Sequence, residues 1–216
     1  MGIKSAKAEI ALDNDATYLK SASLSVELAK EEGIDYASKI SATINSIVVD
    51  GKLQGFEINA GFAMPTGYTA DNMPDWEFDE DGNYVIDGEI VTEWEYTGIT
   101  NFNEISINAK IDLSKLATVG AEVASLKVDY KPVKAYKVTY KESFETYETT
   151  VVSVEEIEAE GISVSVNANV KTTAENVASI AGEVVVGEEK VTISGSFSYG
   201  TVEFPEIPAE IKSYFD

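Results

Sequence analysis

Residues 161–171 read GISVSVNANVK, and the expected fold follows from that line. Ile162, Val164, Val166, Ala168 and Val170 are apolar, while Ser163, Ser165, Asn167 and Asn169 between them are polar. Successive side chains of a strand point to opposite faces, so this spacing predicts a β-strand with one dry and one wet face. Nearly the same pattern recurs at residues 105–113, and a weaker one at 22–30. Asp50-Gly51 between two alternating runs predicts a two-residue hairpin. A slip of the apolar phase between Ile44 and Ile47 predicts a β-bulge just before it. No stretch predicts a helix of more than a turn or two. The expected fold is therefore all-β and antiparallel, a sandwich or barrel of about 10–12 strands.

Residues 1–216 read as a single β domain with three departures from the regular pattern. Residues 1–20 are expected to form an N-terminal arm, residues 65–100 an acidic loop and hairpin insertion, and residues 201–216 a proline-containing C-terminal arm. Three units of two strands, a turn and a third strand begin near Ala22, Ile105 and Ile162. Their third strands begin near Leu53, Ala135 and Lys190, which is a weak internal repeat. In the middle unit Lys131-Pro132-Val133-Lys134 is read as the turn of a hairpin spanning residues 126–141. On that reading Leu126, Val128, Tyr130, Tyr136, Val138 and Tyr140 share one face.

Composition removes much chemistry. The chain has no Cys, no His and no Arg, and all 16 basic residues are Lys. That excludes disulfides, thiolate metal sites, imidazole-based triads and guanidinium clamps for phosphate. A formal charge of −22 repels nucleic acid and anionic membrane surfaces, so no specific nucleic-acid binding is expected. No apolar run approaches the roughly 20 residues of a membrane helix. The alternation itself would suit a lipid-facing barrel, but the apolar faces are thin in Leu and in flanking aromatic girdles. The first residues hold no apolar stretch of signal-peptide length.

Carboxylates are the remaining source of chemistry. Asp75, Glu77, Asp79 and Asp81, followed by Gly82, place oxygen ligands at alternate positions and make a candidate calcium site. The match to a calcium loop is poor, since Gly88 stands where a bidentate Glu belongs. Trp76 and Trp94 beside these acids suggest a carbohydrate-stacking surface. Carboxylate pairs for glycoside hydrolysis are inevitable among 38 acidic residues and therefore carry no information. No enzyme activity and no cofactor other than Ca2+ is expected.

Charge is segregated along the chain. Ten acids fall between Asp71 and Glu95 without a Lys, whereas residues 110–141 hold seven Lys against three acids. On the expected hairpin Lys127, Lys131, Lys137 and Lys141 project together and would dock on Asp79, Glu80 and Asp81 of a second copy. Opposed patches suit head-to-tail association into rings or filaments. The expected function is thus a non-enzymatic structural subunit that assembles with copies of itself, in a virion or on an extracellular surface. In length, β content and acidity the chain is similar to phage tail-tube subunits, and a surface filament is the other setting. The alternative is a β-sandwich binding module for calcium or carbohydrate using residues 71–96.

Overall fold

Alternation becomes strand almost everywhere the sequence carries it. The computed structural model describes residues 2–14, 17–30, 32–70 and 75–200, excepting the side chains of 66–70. In chain order the strands are β1 (Ile3–Leu12), β2 (Leu19–Leu28), β3 (Lys39–Val49), β4 (Lys52–Ala70), β5 (Glu77–Phe78), β6 (Tyr84–Ile86) and β7 (Glu89–Ile90). They continue as β8 (Glu93–Asp112), β9 (Glu122–Ser143), β10 (Thr149–Ile157), β11 (Val164–Ala174), β12 (Val177–Val186) and β13 (Glu189–Ser198). Strands make up 72% of the protein and helix 2%, so the all-β antiparallel expectation holds. Asp50 and Gly51 both have positive φ, 52° and 74°, which is the mirror-image turn that suits a two-residue hairpin. The bulge of this ladder is not in β3, which pairs residue for residue from Lys39 to Val49; it is on β4 after the turn, where Gln54 is skipped between Leu53 and Gly55.

Ten strands form one sheet in the order β1-β2-β3-β4-β8-β9-β11-β12-β13, with β10 also paired to β9. The ends of this order, β1 and β13, do not pair with each other, so among the described residues the sheet is open rather than closed into a barrel. The second sheet, β5-β6-β7, has only three short strands and makes no second layer of sandwich size. It lies in the insertion expected at residues 65–100. Pro65 is not in a loop, however: it pairs with Phe102, and β4 runs on to Ala70. Residues 3–12, expected within an N-terminal arm, are β1 itself, in register with β2. The C-terminal arm at 201–216 lies outside the described residues.

The expected hairpin at 126–141 is a single strand. β9 pairs with β8 from Glu122's neighbourhood to Ser143, and the register skips only Val133, between Phe102–Lys134 and Asn103–Pro132. Pro132 donates no hydrogen bond, and it stands where none is required. On the far side β9 pairs with β11 as far as Tyr130 and with β10 from Ala135, which leaves a gap opposite the proline. The extra residue reverses the facing of everything beyond it. Leu126, Val128 and Tyr130 point to one face, whereas Tyr136, Val138 and Tyr140 point to the other. The middle unit of the proposed repeat therefore lacks its separate third strand, while β2-β3-β4 and β11-β12-β13 keep theirs.

That reversal places the core. Phe102, Tyr136 and Val138 are buried together on the second face, and Ile34 from the β2–β3 connection closes over them. Tyr36 packs its ring on Phe102 at 5.1 Å between centroids, and Phe102 meets Tyr136 edge-on at 5.9 Å. The small sheet is attached by a second aromatic group. Tyr84 stacks on Phe144 at 4.1 Å, and Trp76 meets Phe144 edge-on at 6.0 Å.

Candidate assembly surfaces

The register of successive pairs carries apolar residues across the whole sheet. One row runs Ile10, Ala22, Ile44, Ile58, Ala109, Leu126, Ala168, Gly182, Ile193, one residue from each of nine neighbouring strands. The next row runs Ala8, Leu24, Ala42, Ala60, Ile107, Val128, Val166, Val184, Val191. Neither row contains a charged residue, and none of these side chains is buried. Ile10 is 76% exposed, Ile58 41%, Leu126 40% and Ile193 59%. Flanking rows add Val26, Ile40, Phe62, Ile105 and Tyr130 on one side and Phe56, Ile111, Val170 and Ile180 on the other. With strands about 4.8 Å apart and residues about 3.3 Å apart, the four rows cover roughly 40 Å by 20 Å, on the order of 800 Å2. The largest apolar patch of an ordinary monomer is roughly 300–600 Å2. Directly behind the two central rows the opposite face carries Glu9, Ser23, Thr43, Asn59, Asn108, Lys127, Asn167, Glu183 and Thr192, in register from strand to strand.

One end of the apolar face is closed. Thr172, 1% exposed, continues the face beyond Val170 and is covered by residues 118–121. Its hydroxyl donates to the Thr118 carbonyl and accepts from the Ala121 amide, while its own amide donates to the Ala121 carbonyl at 3.0 Å. Tyr199 donates its hydroxyl to the Leu116 carbonyl at 2.8 Å and so ties the end of β13 to the same segment. The rest of the face has no such cover among the described residues.

The two outer strands form the second surface. β1 and β13 are ten residues long and exposed throughout, and among the described residues each has a neighbour on one side only. β13 pairs with β12 over all ten residues without a register shift, so it is regular and unbroken by a bulge. Neither strand contains Pro, the residue that most directly blocks edge pairing.

The expected lysine patch is divided by the bulge at Val133. Lys127 and Lys131 lie on the polar face, and Lys137 and Lys141 on the other, as the register on β8 requires. Three of the four already hold carboxylates of their own chain: Lys127 with Asp129 at 2.9 Å, Lys131 with Glu104 at 3.1 Å and Lys141 with Glu93 at 2.5 Å. They do not make one docking patch. Of their expected targets, Glu80 and Asp81 are exposed on the β5–β6 turn. Asp79 organises that turn, because its carboxylate accepts from the amides of Asp81 and Asn83 at 3.0 and 2.8 Å. The Asn83 side chain and these amides hold Asp79 below the usual carboxylate pKa. Asp75, Glu77, Asp79 and Asp81 are not brought together: among the described residues no group of three or more acids could hold a metal ion. Trp76 is engaged with Tyr84 and Phe144, and Trp94 is half-buried in β8.

A polar contact missed at the level of sequence fastens the core cover. The Tyr36 hydroxyl donates to Glu104 Oε1 at 2.7 Å, and Lys131 reaches the other oxygen of the same carboxylate. Burial, then the bond to Glu104, pushes the Tyr36 phenol above its ordinary pKa. The Tyr36 hydroxyl and the Lys131 ammonium hold Glu104 below the usual carboxylate range. A depressed carboxylate stabilises the fold above its unfolded pKa, and that contribution disappears as pH falls through its folded value. Glu104→Gln is therefore expected to cost about 1 kcal/mol at pH 7, the side chain being partly solvated and its charge screened. Urea denaturation of both proteins from pH 7 to pH 3 tests this. The difference should shrink below pH 4.5, and a constant difference would show that Glu104 acts by shape alone.

The described residues form an open, amphipathic antiparallel sheet whose strand order ends in β1 and β13, and this defines an all-β protein. No family model matches the chain, and no curated protein or solved structure shows significant similarity to it. Among the described residues no helix is long and apolar enough to cross a membrane.

Proposed function

We propose that this chain is a non-enzymatic structural subunit that assembles with copies of itself into a ring, tube or filament. The observation that carries this reading is the pair of ten-residue outer strands, each exposed throughout and, among the described residues, hydrogen-bonded on one side only; β13 is unbroken, while β1 has register shifts near both ends. A monomer ordinarily blunts such edges with charge, proline, bulges or a covering segment, because their free N–H and C=O groups are templates for another strand. β1 of one copy and β13 of the next can satisfy these groups mutually. The join is heterologous, so it closes a ring or continues as a filament according to the rotation between copies. Apolar residues alternate on both edges, at Ala6, Ala8 and Ile10 and at Val191, Ile193 and Phe197, so a joined sheet keeps its apolar side continuous. A virion tube or a surface filament is the setting for such a subunit. In a tube lined by the polar, acidic face, nucleic acid would pass without the phosphate contacts that give nonspecific affinity.

Thr192→Lys with Ser194→Lys tests the edge. Both positions are exposed on the polar face of β13, so folding should change by no more than about 0.5 kcal/mol. Sedimentation velocity and negative-stain microscopy should show large assemblies in the wild type and their loss in the variant. Wild-type protein that never grows beyond a small discrete oligomer at high concentration would defeat this reading.

A further inference from the structure

We infer that the apolar face is buried against the same face of a second copy, so that the assembling unit is a face-to-face dimer, a two-layered sandwich made from two chains. The inference rests on the self-assembly reading but uses a different surface from the edges. Its first support is area: two faces of about 800 Å2 would bury on the order of 1,600 Å2, the standard size of a stable protein interface. The second is relief. In the row Ile44, Ile58, Ala109, Leu126, Ala168, Gly182 large side chains stand beside small ones, which provides the knobs and hollows that two sheets need to interdigitate about 10 Å apart. A lipid surface would require no such relief, and a net charge of −22 opposes approach to anionic bilayers. The third is position. β8 is the middle strand of the nine-strand order, so a twofold axis crossing near Ile107 superposes the two faces over their full width.

The chain has no Cys, so a spin label at Ile107→Cys reports on one site per copy. The test uses full-length protein carrying Thr192→Lys and Ser194→Lys, which removes edge growth. The expected particle has twice the 23.3 kDa chain mass, with a label-to-label distance under about 25 Å given sheets roughly 10 Å apart. Adding Ile58→Asp and Leu126→Asp, both exposed in the single chain, should yield monomers with an unchanged β circular dichroism signal. A particle that is monomeric before those substitutions overturns the inference. So does a dimer that survives them, or one whose labels lie beyond about 50 Å, well outside the reach of sheets packed roughly 10 Å apart. Binding of the monomer to phosphatidylcholine vesicles, lost in the Asp variants, would replace the second copy by lipid. Dimers formed only after deletion of residues 201–216 would assign the face to that segment instead. A wild type that stops at the dimer, and splits on the Asp substitutions, would sustain this inference while removing the edge-built filament.

Discussion

Phe102→Ala is expected to destabilise the fold by about 3–5 kcal/mol, the usual cost of truncating a buried aromatic ring. Phe102 is 4% exposed, belongs to the buried cluster of Ile34, Tyr136 and Val138, and has the rings of Tyr36 and Tyr136 against its own. Its removal leaves a cavity and also releases the cover, since Tyr36 loses the ring it tilts against. A typical domain has only about 5–15 kcal/mol of stability, so this one side chain carries a large share. Guanidinium denaturation should show the lower midpoint, and amide exchange at residues 32–38 should accelerate more than that of β11 or β12. Phe102→Leu, which keeps most of the volume, should cost less than half as much. A loss below 1 kcal/mol for the alanine variant would mean that the apolar cluster does not organise the chain.

Gly55→Ala should do comparable damage by the opposite route. Gly55 is buried at the start of β4 between Ile47 of β3 and Asp112 of β8. A Cβ there would stand 1.8 Å from the Ile111 carbonyl oxygen and 2.7 Å from its carbon. Backbone cannot rotate aside as a side chain can, so the β4–β8 ladder must separate at that end. Asp112, which pairs with Gly55 and caps the turn at Leu113–Lys115, would be carried away from β4 with it. A loss of about 3 kcal/mol or more is expected. Gly61→Ala is the control within the same strand. Its Cβ meets the Ser41 hydroxyl at 3.1 Å, which can turn away, and the Ile105 carbonyl oxygen only at an ordinary 4.0 Å, so the change should stay within about 1 kcal/mol. Equal stability of the two variants in thermal melts would refute the close-approach argument.

The two variants also mark how far sequence reasoning reached. Phe102 follows no regular alternation that would single it out, because apolar residues of β8 change sides between Phe102 and Ile105 without any insertion. Ile34 and Tyr36 sit in a connection with no strand pattern, and only their apolar character among polar neighbours hints that they cover something. The glycine at position 55 resembles any other glycine in a strand until β8 is brought beside it. Lys127, Lys131, Lys137 and Lys141 were legible as a basic cluster, but their common facing depended on a turn at Pro132 that does not exist. The acids near Asp79 were legible as a turn, and their hydrogen bonds serve that turn.

Local chemistry alone determined that this chain makes strands, where most of them turn, that Asp50-Gly51 closes a hairpin, and that thiol, imidazole and guanidinium chemistry is absent. Those properties depend on residues one to four positions apart, which any reading of the chain contains. The tertiary structure alone decided that ten strands lie in one open sheet, that one extra residue at Val133 turns the end of β9 over, and that residues 32–38 cover part of one face while, among the described residues, most of the other stays exposed. The physical reason is that alternation of period two says each strand has a dry side but not which distant segment will dry it. That choice belongs to pairing between residues tens of positions apart.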